Sequence, residues 1–201
     1  MFYRPEDPNR PLKHSPLKAI ISPRPIGWIS TVDKNGRANL APYSFFNAVM
    51  DHPSMVMFTS AGRKEDRDFG KDSVSNIRDT EEFVVNVVSH DLKDKMNITS
   101  GAFGADVDEF EQAGLTKAAC EIVKVPRVGE SPASLECKLF QIVDLPGDGN
   151  VMIIGTVVGI HLRDSAVRDG KFHVTDYNPV ARLGYKDYST VNEVYELIRP
   201  K

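Results

Sequence analysis

Short apolar runs alternate with turn-forming clusters along most of the chain, a rhythm that predicts strands far more often than helices. Ile26-Gly27-Trp28-Ile29-Ser30-Thr31-Val32 is rich in β-branched and aromatic residues and stops at Asp33-Lys34-Asn35-Gly36. The Asn-Gly pair predicts a type I′ hairpin, whose two central residues both need positive φ, with a return strand from Arg37 to about Ala41. Ser54 to Thr59 and Glu82 to Val88 read as two further strands, the second apolar at consecutive positions and therefore buried on both faces. Leu135 to Val143 and Val151 to Leu162, joined by Pro146-Gly147-Asp148-Gly149-Asn150, predict a long antiparallel hairpin. In its second strand Met152, Ile154, Val158 and Ile160 alternate with Val151, Ile153 and Val157, so both faces are apolar. A small barrel has one inside, and the pattern implies that helices or a second subunit cover the outside.

Helical signals are few and short: Ser73 to about Asp79, Asp91 to about Ile98, and Asp108 to Ala113, the last ending at Gly114 as a left-handed cap. Gly62 to Lys71 reads as a charged loop. Pro5, Pro8, Pro11 and Pro16 suit an extended arm over residues 1–18, and no repeat or composition break divides residues 19–201, read as one domain.

Charge removes several functions. The 25 basic and 28 acidic residues leave a net charge of -3 with no basic run, which argues against nucleic acid as a partner. Cys120 and Cys137 stand too far apart for a Cys-x-x-Cys unit, so neither a disulfide framework nor a thiolate zinc site is expected. The polar, proline-rich start and the lack of a long apolar run predict no membrane partner and a cytoplasmic location. Without a secretory signal, the sequon Asn97-Ile98-Thr99 reads as ordinary sequence.

Familiar catalytic motifs fail one by one. Gly70-Lys71 is followed by Asp72 where a phosphate-binding P-loop needs Ser or Thr, and no Gly-x-Gly-x-x-Gly follows a strand. Ser89-His90-Asp91 contains the three residue types of a hydrolytic triad, but adjacent residues point in different directions. The five histidines are scattered, no metal is expected, and Cys137 reads as a buried apolar residue.

Three segments carry more. They are Ser22-Pro23-Arg24-Pro25-Ile26-Gly27-Trp28, then Asn39-Leu40-Ala41-Pro42-Tyr43-Ser44-Phe45-Phe46-Asn47-Ala48, in which a strand enters a polar and aromatic loop, and Lys71-Asp72-Ser73-Val74-Ser75, a cation and hydroxyls at a helix start. With Glu82 to Asn86, Met96 to Ser100, Phe110 to Leu115, Ser134 to Cys137 and Pro179 to Gly184, in that order, the chain is similar to the flavin reductase-like, FMN-binding split-barrel family, which includes flavoredoxin.

The resemblance implies a mainly β, antiparallel Greek-key split β-barrel with a few short flanking helices. It also implies FMN as cofactor, NADH or NADPH as electron donor, and a homodimer with the flavin near the interface. The free N–H groups of the helix after Lys71, the hydroxyl of Ser73 or Ser75 and the Lys71 ammonium suit the FMN phosphate, with Asp72 left to cap the helix or orient Lys71 or Arg67. Ser60, Arg63 and Arg67 are further candidates for the phosphate or the nicotinamide nucleotide. Ser44, Phe45, Phe46, Asn47 and Ala48 belong at the flavin's polar edge, although one of the two phenylalanines must face the core. Trp28 suits the core as well as the ring, while Arg24 and Pro25 are read as ligand contacts because Arg24 has no evident structural task. Asn97, Thr99 and Ser100 read as reaching a flavin or as a capped helix end. The function implied is reduction of flavin or another acceptor, with no general base because flavin N5 carries the chemistry. The alternative is an FMN electron carrier reduced by a redox partner protein.

Overall fold

The computed structural model describes residues 1–62, 71–104 and 106–200. Residues before Leu17 form no helix or strand, and α1 is a single turn, Leu17–Ile20. There follow β1 (Arg24–Pro25), β2 (Gly27–Val32), β3 (Ala38–Tyr43), β4 (Phe46–Met50), β5 (Met55–Ser60), α2 (Asp72–Thr80) and β6 (Glu82–Asn86). Then come α3 (Lys93–Ile98), α4 (Glu109–Gln112), the short strands β7 (Lys117–Ala118) and β8 (Arg127–Val128), and the long strands β9 (Ala133–Asp144) and β10 (Val151–Leu162). The chain closes with β11 (Val167–Arg168), β12 (Lys171–Phe172), β13 (Val180–Arg182) and β14 (Tyr188–Thr190).

Seven strands form one antiparallel sheet in the order β3-β2-β6-β9-β10-β5-β4. Its outer strands β3 and β4 are neighbours in the chain but make no ladder with each other, and the Tyr43 and Phe58 rings face across that opening with centroids 4.7 Å apart. The result is a split barrel. A smaller sheet, β1-β13-β14, brings the C-terminal region back against the start of β2, with Arg24 opposite Arg182.

Burial on two faces follows the apolar pattern. Along β2, Trp28 joins Leu40, Met96 and Phe110 beneath α3 and α4, whereas Ile29 joins Phe58, Phe83 and Val85 inside the barrel. In β6, Phe83 and Val85 point inward while Val84 packs with Val123 and Val125 of the covering loop. α2 lays Val74 and Ile77 against the barrel core. Truncating a fully buried side chain such as Trp28 costs about 3–5 kcal/mol.

Three local readings differ. The hairpin after Val32 forms, but only Gly36 has positive φ (80°); the Gly36 N–H donates to Asp33 O and the Asp33 N–H to Arg37 O (both 3.0 Å), a type I turn closed by a glycine bulge. Asp33 selects it, because its carboxylate accepts from the Asn35 and Arg37 N–H groups (both 2.8 Å). Second, Phe46 to Met50 is a strand rather than loop. It is an edge strand paired only with β5, so its exposed positions carry no alternation to betray it. Third, the cover on β10 is uneven. Val157 packs into the barrel core, while Ile160 and Leu162, at the far end, are exposed.

Candidate functional site

The side chains at Asn39, Ala41 and Tyr43 share one face of β3, as period-two alternation requires, and border a cleft of about 240 Å³. Lys71, Asp72 and Ser73 at the start of α2 form a second wall, and the Thr99 to Ala102 turn after α3, with Glu109 of α4, forms a third. A neighbouring compartment of about 200 Å³ shares Pro42 and Ser100 with the first and adds Ser44, Asn97, Arg182 and Tyr188 over a floor of Ile26 and Met96.

Six of the sequence-predicted residues therefore converge on one groove: Lys71, Ser73, Thr99 and Ser100 in the first compartment, and Ser44 and Asn97 with Ser100 in the second. Lys71 is the N-cap of α2, in extended conformation (φ -84°, ψ 159°), and its ammonium lies 6.0 Å from the Tyr43 ring centroid. Asp72 opens the first helical turn, where a carboxylate complements the helix dipole. Ser73 is buried, and its Oγ accepts from Asn39 Nδ2 (3.0 Å), which leaves the hydroxyl proton to donate. Glu109 is buried too and holds β3 in place by accepting the Leu40 N–H (3.1 Å).

Two hydroxyls behind this wall lack partners. Tyr43 Oη and Ser60 Oγ are buried and make no hydrogen bond among the described residues. Burial pushes the Tyr43 phenol above its ordinary range and the Glu109 charge adds to this, against an opposite pull from the facing hydroxyls of Ser73 and Ser60. A buried polar group left unpaired costs about 1–3 kcal/mol, and of the two hydroxyls only that of Tyr43 belongs to a residue bordering the cleft, where a polar ligand could complete its hydrogen bonding.

The other predicted residues are placed differently. Trp28 is fully buried and its Nε1 donates to Thr99 Oγ1 (2.9 Å), which donates in turn to Met96 O (2.8 Å). Arg24 has a structural task after all: it is buried, and its guanidinium donates to the carbonyls of Lys18, Ile21 and Leu183, tying α1 to the end of β13. Pro25 is exposed. Phe46 faces the core against Gly27, whereas Phe45 stays outside with Lys18 and Arg24 near its ring. Asn47 and Ala48 are exposed on β4, where Asn47 Oδ1 accepts the Ala48 N–H. Arg63 and Arg67 lie outside the described residues. Tyr43, Glu109, Arg182 and Tyr188 were not singled out from sequence; for Tyr43 the available signal was its alternation with Asn39 and Ala41.

A second polar cluster sits on the far reach of the β9–β10 hairpin. Cys120, Glu136 and His161 bring a sulfur, a carboxylate oxygen and a ring nitrogen within 4.8 Å of one another, a convergence the scattered sequence positions concealed. Both oxygens of Glu136 are already engaged. Oε1 accepts from the Glu121 N–H (2.9 Å) and His161 Nε2 (2.7 Å), and Oε2 from the Ile122 and Val123 N–H groups (2.7 and 2.8 Å). A Cβ on Gly159 would stand 3.1 Å from Oε1, so the close passage of this carboxylate over β10 favours glycine there. Burial raises the Glu136 pKa, but the Glu121, Val123 and Ile122 amides and His161 outweigh it and bring it down to about 2. Burial, then the Glu136 charge, push the Cys120 thiol up to about 11. This cluster is a carboxylate clamp on the 121–123 loop.

Residues 21–182 match the flavin reductase-like domain. The chain belongs to that family. A protein of Aquifex aeolicus described only as uncharacterized is 42% identical over 170 residues, 84% of this chain and 85% of its own length. Among solved structures, nitrilotriacetate monooxygenase component B from Bacillus cereus superposes with a TM-score of 0.87 at 29% identity, covering 98% of each chain. The 2-nitrobenzoate 2-nitroreductase NbaA of Pseudomonas fluorescens does so with a TM-score of 0.81 at 27% identity, over 92% of this chain and 88% of its own. Family and relatives support an oxidoreductase role for this flavin reductase-like protein. No helix among the described residues is long and apolar enough to cross a membrane.

Proposed function

We propose that the protein binds FMN in the groove between β3, α2 and the turn after α3, and transfers electrons from NADH or NADPH to an acceptor. The observation that carries this reading is the buried Tyr43 Oη, which makes no hydrogen bond of good geometry among the described residues and borders the cleft that Lys71 and Ser73 line at the head of α2. FMN carries a phosphate that needs several donors, and the start of a nine-residue helix with a lysine and hydroxyls supplies them. Asp72 and Glu109 line the same cleft and oppose an anion; the Lys71 charge and the positive end of α2 offset them.

When bound, the flavin accepts hydride at N5 and supplies the redox chemistry itself. The chain's part is to hold and surround it. Lys71 and Ser73 would fix the phosphate end, and Ser44, Asn97 and Ser100 line the neighbouring compartment, where they can donate to the ring's polar edge. Ile26 and Met96 give that compartment an apolar floor that limits water.

The chain is further proposed to act in the cytoplasm, and as a homodimer because Phe140, Ile160 and Leu162 leave apolar surface on the long hairpin. Light scattering at micromolar concentration tests this, and a monomer that holds one FMN per chain would overturn a shared site. The functional test is spectroscopic. Adding FMN should give a yellow protein whose visible band bleaches within seconds on anaerobic mixing with NADH or NADPH. Bound FMN that stays oxidised with both nucleotides would mark a carrier reduced by a protein partner, and a colourless protein after FMN addition would overturn the proposal.

A further inference from the structure

The cluster on the β9–β10 hairpin holds more chemistry than the Glu136 clamp uses. Glu136 lies opposite Gly159 in the β9–β10 register, and His161, two residues further along β10, comes up on the same face. The register shifts between Val157 and Gly159, and a bulge of this kind re-aims the side chains beside it. With no side chain at Gly159 in the way, His161 Nε2 reaches Glu136 Oε1. Cys120 arrives from a third segment, two residues beyond β7, in a loop whose ends the short β7–β8 ladder fixes. Spacing along the chain predicts no thiolate metal site, because the three residues meet only through this ladder and this loop.

Sulfur, imidazole nitrogen and carboxylate oxygen together suit a borderline-soft divalent ion of the zinc type rather than calcium or magnesium. Zinc bonds of about 2.0–2.3 Å set the ligand atoms of a tetrahedron about 3.3–3.6 Å apart. Here His161 Nε2 and Glu136 Oε1 are 2.7 Å apart and no pair among the three ligand atoms exceeds 4.8 Å, so the adjustment is on the order of 1 Å at each contact. Glu136 already has the outer hydrogen bonds that orient a ligating carboxylate, from the Glu121, Ile122 and Val123 amides. Of the other charges that reach the thiol, Arg127 opposes a cation and Glu121 favours one. The His161 side chain keeps 20% of its surface exposed and Cys120 is half-buried, which gives an ion a way in.

We propose that Cys120, Glu136 and His161 form a binding site for a zinc-type divalent cation, with water in the fourth position. As the sulfur–metal bond forms, the Cys120 S–H proton leaves to solvent. The His161 ring keeps its proton on Nδ1 and gives its Nε2 lone pair to the metal, which takes the place of the His161 N–H on Glu136 Oε1. The three amide bonds to Glu136 remain. The ion pins the loop after β7 to β10. None of the three residues borders either compartment of the groove, so the site stands apart from the flavin reading.

Cobalt(II) and zinc(II) chlorides, added to untagged protein stripped with a chelator, test the site. Cobalt should give the near-ultraviolet charge-transfer absorption of a cobalt–thiolate bond, saturating at one ion per chain, and zinc should abolish it by displacement. Zinc at roughly a hundredfold excess over its Kd should raise the melting point by about 5–10 °C. Cys120→Ser should lose the charge-transfer band. His161→Gln should weaken zinc by more than the roughly tenfold to hundredfold that loss of a supporting hydrogen bond costs. Glu136 is left intact because it holds the 121–123 loop, and the other thiol, Cys137, is fully buried. No charge-transfer band from the parent protein overturns the proposal whether or not the variants fold. So does a band that survives in a folded Cys120→Ser, or zinc stabilisation equal in the parent and both variants, which would belong to surface histidines.

Discussion

At Glu136 two carboxylate oxygens accept four hydrogen bonds in the interior, while beside β3 the buried hydroxyls of Tyr43 and Ser60 make none of good geometry among the described residues. Both regions bury polar groups at a cost, and they settle that cost differently. The clamp closes its account within the chain, so its charge strengthens the fold. Beside the groove the Tyr43 hydroxyl makes no hydrogen bond of good geometry among the described residues, which lowers the stability of the fold. Polar burial alone does not mark a functional site. What separates the regions is whether the donors and acceptors of each are satisfied.

The sharpest way to break this contrast is Glu136→Gln. The amide keeps the shape but turns an NH₂ toward backbone N–H donors, and breaking a buried charged network costs about 3–5 kcal/mol. Thermal unfolding should show a melting point lower by roughly 10 °C, while the folded protein retains FMN affinity. A variant that melts normally would show that the clamp is ornamental to stability.

Acid offers the next largest effect. The Glu136 carboxyl titrates at about 2 in the folded chain against an ordinary 4.5, so the unfolded chain takes up its proton first. Its contribution, on the order of 3 kcal/mol, is therefore complete above pH 4.5 and drains away as the pH falls toward 2. Denaturant titrations across that window should show a decline in the parent that is shallower in Glu136→Gln, where the remaining fall belongs to other carboxyls such as Asp33.

In the groove the expectations reverse. Lys71→Ala should weaken FMN by about tenfold to a hundredfold, as loss of a charge-assisted contact requires, with little change in melting. Ser73→Ala should weaken FMN similarly and also cost about 1 kcal/mol of stability, because Asn39 loses its better acceptor. Fluorescence quenching with riboflavin and FMN checks both, since loss of a phosphate contact must spare riboflavin. The smallest and most diagnostic effect belongs to Tyr43→Phe and Ser60→Ala. Each removes a partnerless buried hydroxyl, so the empty protein should be unchanged or more stable by up to about 1 kcal/mol, while FMN binds severalfold less tightly. Destabilised empty variants would mean that these hydroxyls serve the fold.

The sequence made the strands legible where burial imposed a period. β2, β6 and the β9–β10 hairpin announced themselves, because inward and outward positions differ in kind or are apolar together. β4 did not, since an edge strand with exposed Asn47, Ala48, Val49 and Met50 has no inside to encode. The turn after Val32 was visible, but its type depended on the Asp33 carboxylate rather than on the Asn-Gly pair. For the groove, local spacing at the start of α2 and the end of α3 fits an ordinary capped helix as well, and it was the family resemblance that marked their hydroxyls, amide and lysine as candidates. Glu109 and Arg182 were not among them. They reach the groove only through tertiary packing, as does the carbonyl cage that makes Arg24 structural.

The long hairpin also sets a schedule for synthesis. β9 pairs with β6 through residues 134–138, and β10 pairs with β5 through residues 151–156, so among the described residues the strand ladders of the two halves are joined through this strap. At ribosomal speeds of about 5–20 residues per second, β2, β3, β4, β5 and β6 emerge several seconds before it is available. During that interval the β6 edge, carrying Phe83, Val84 and Val85, stands open to any passing strand. The nascent chain is thus most vulnerable to aggregation after the groove's first two walls have been made and before the barrel can close behind them.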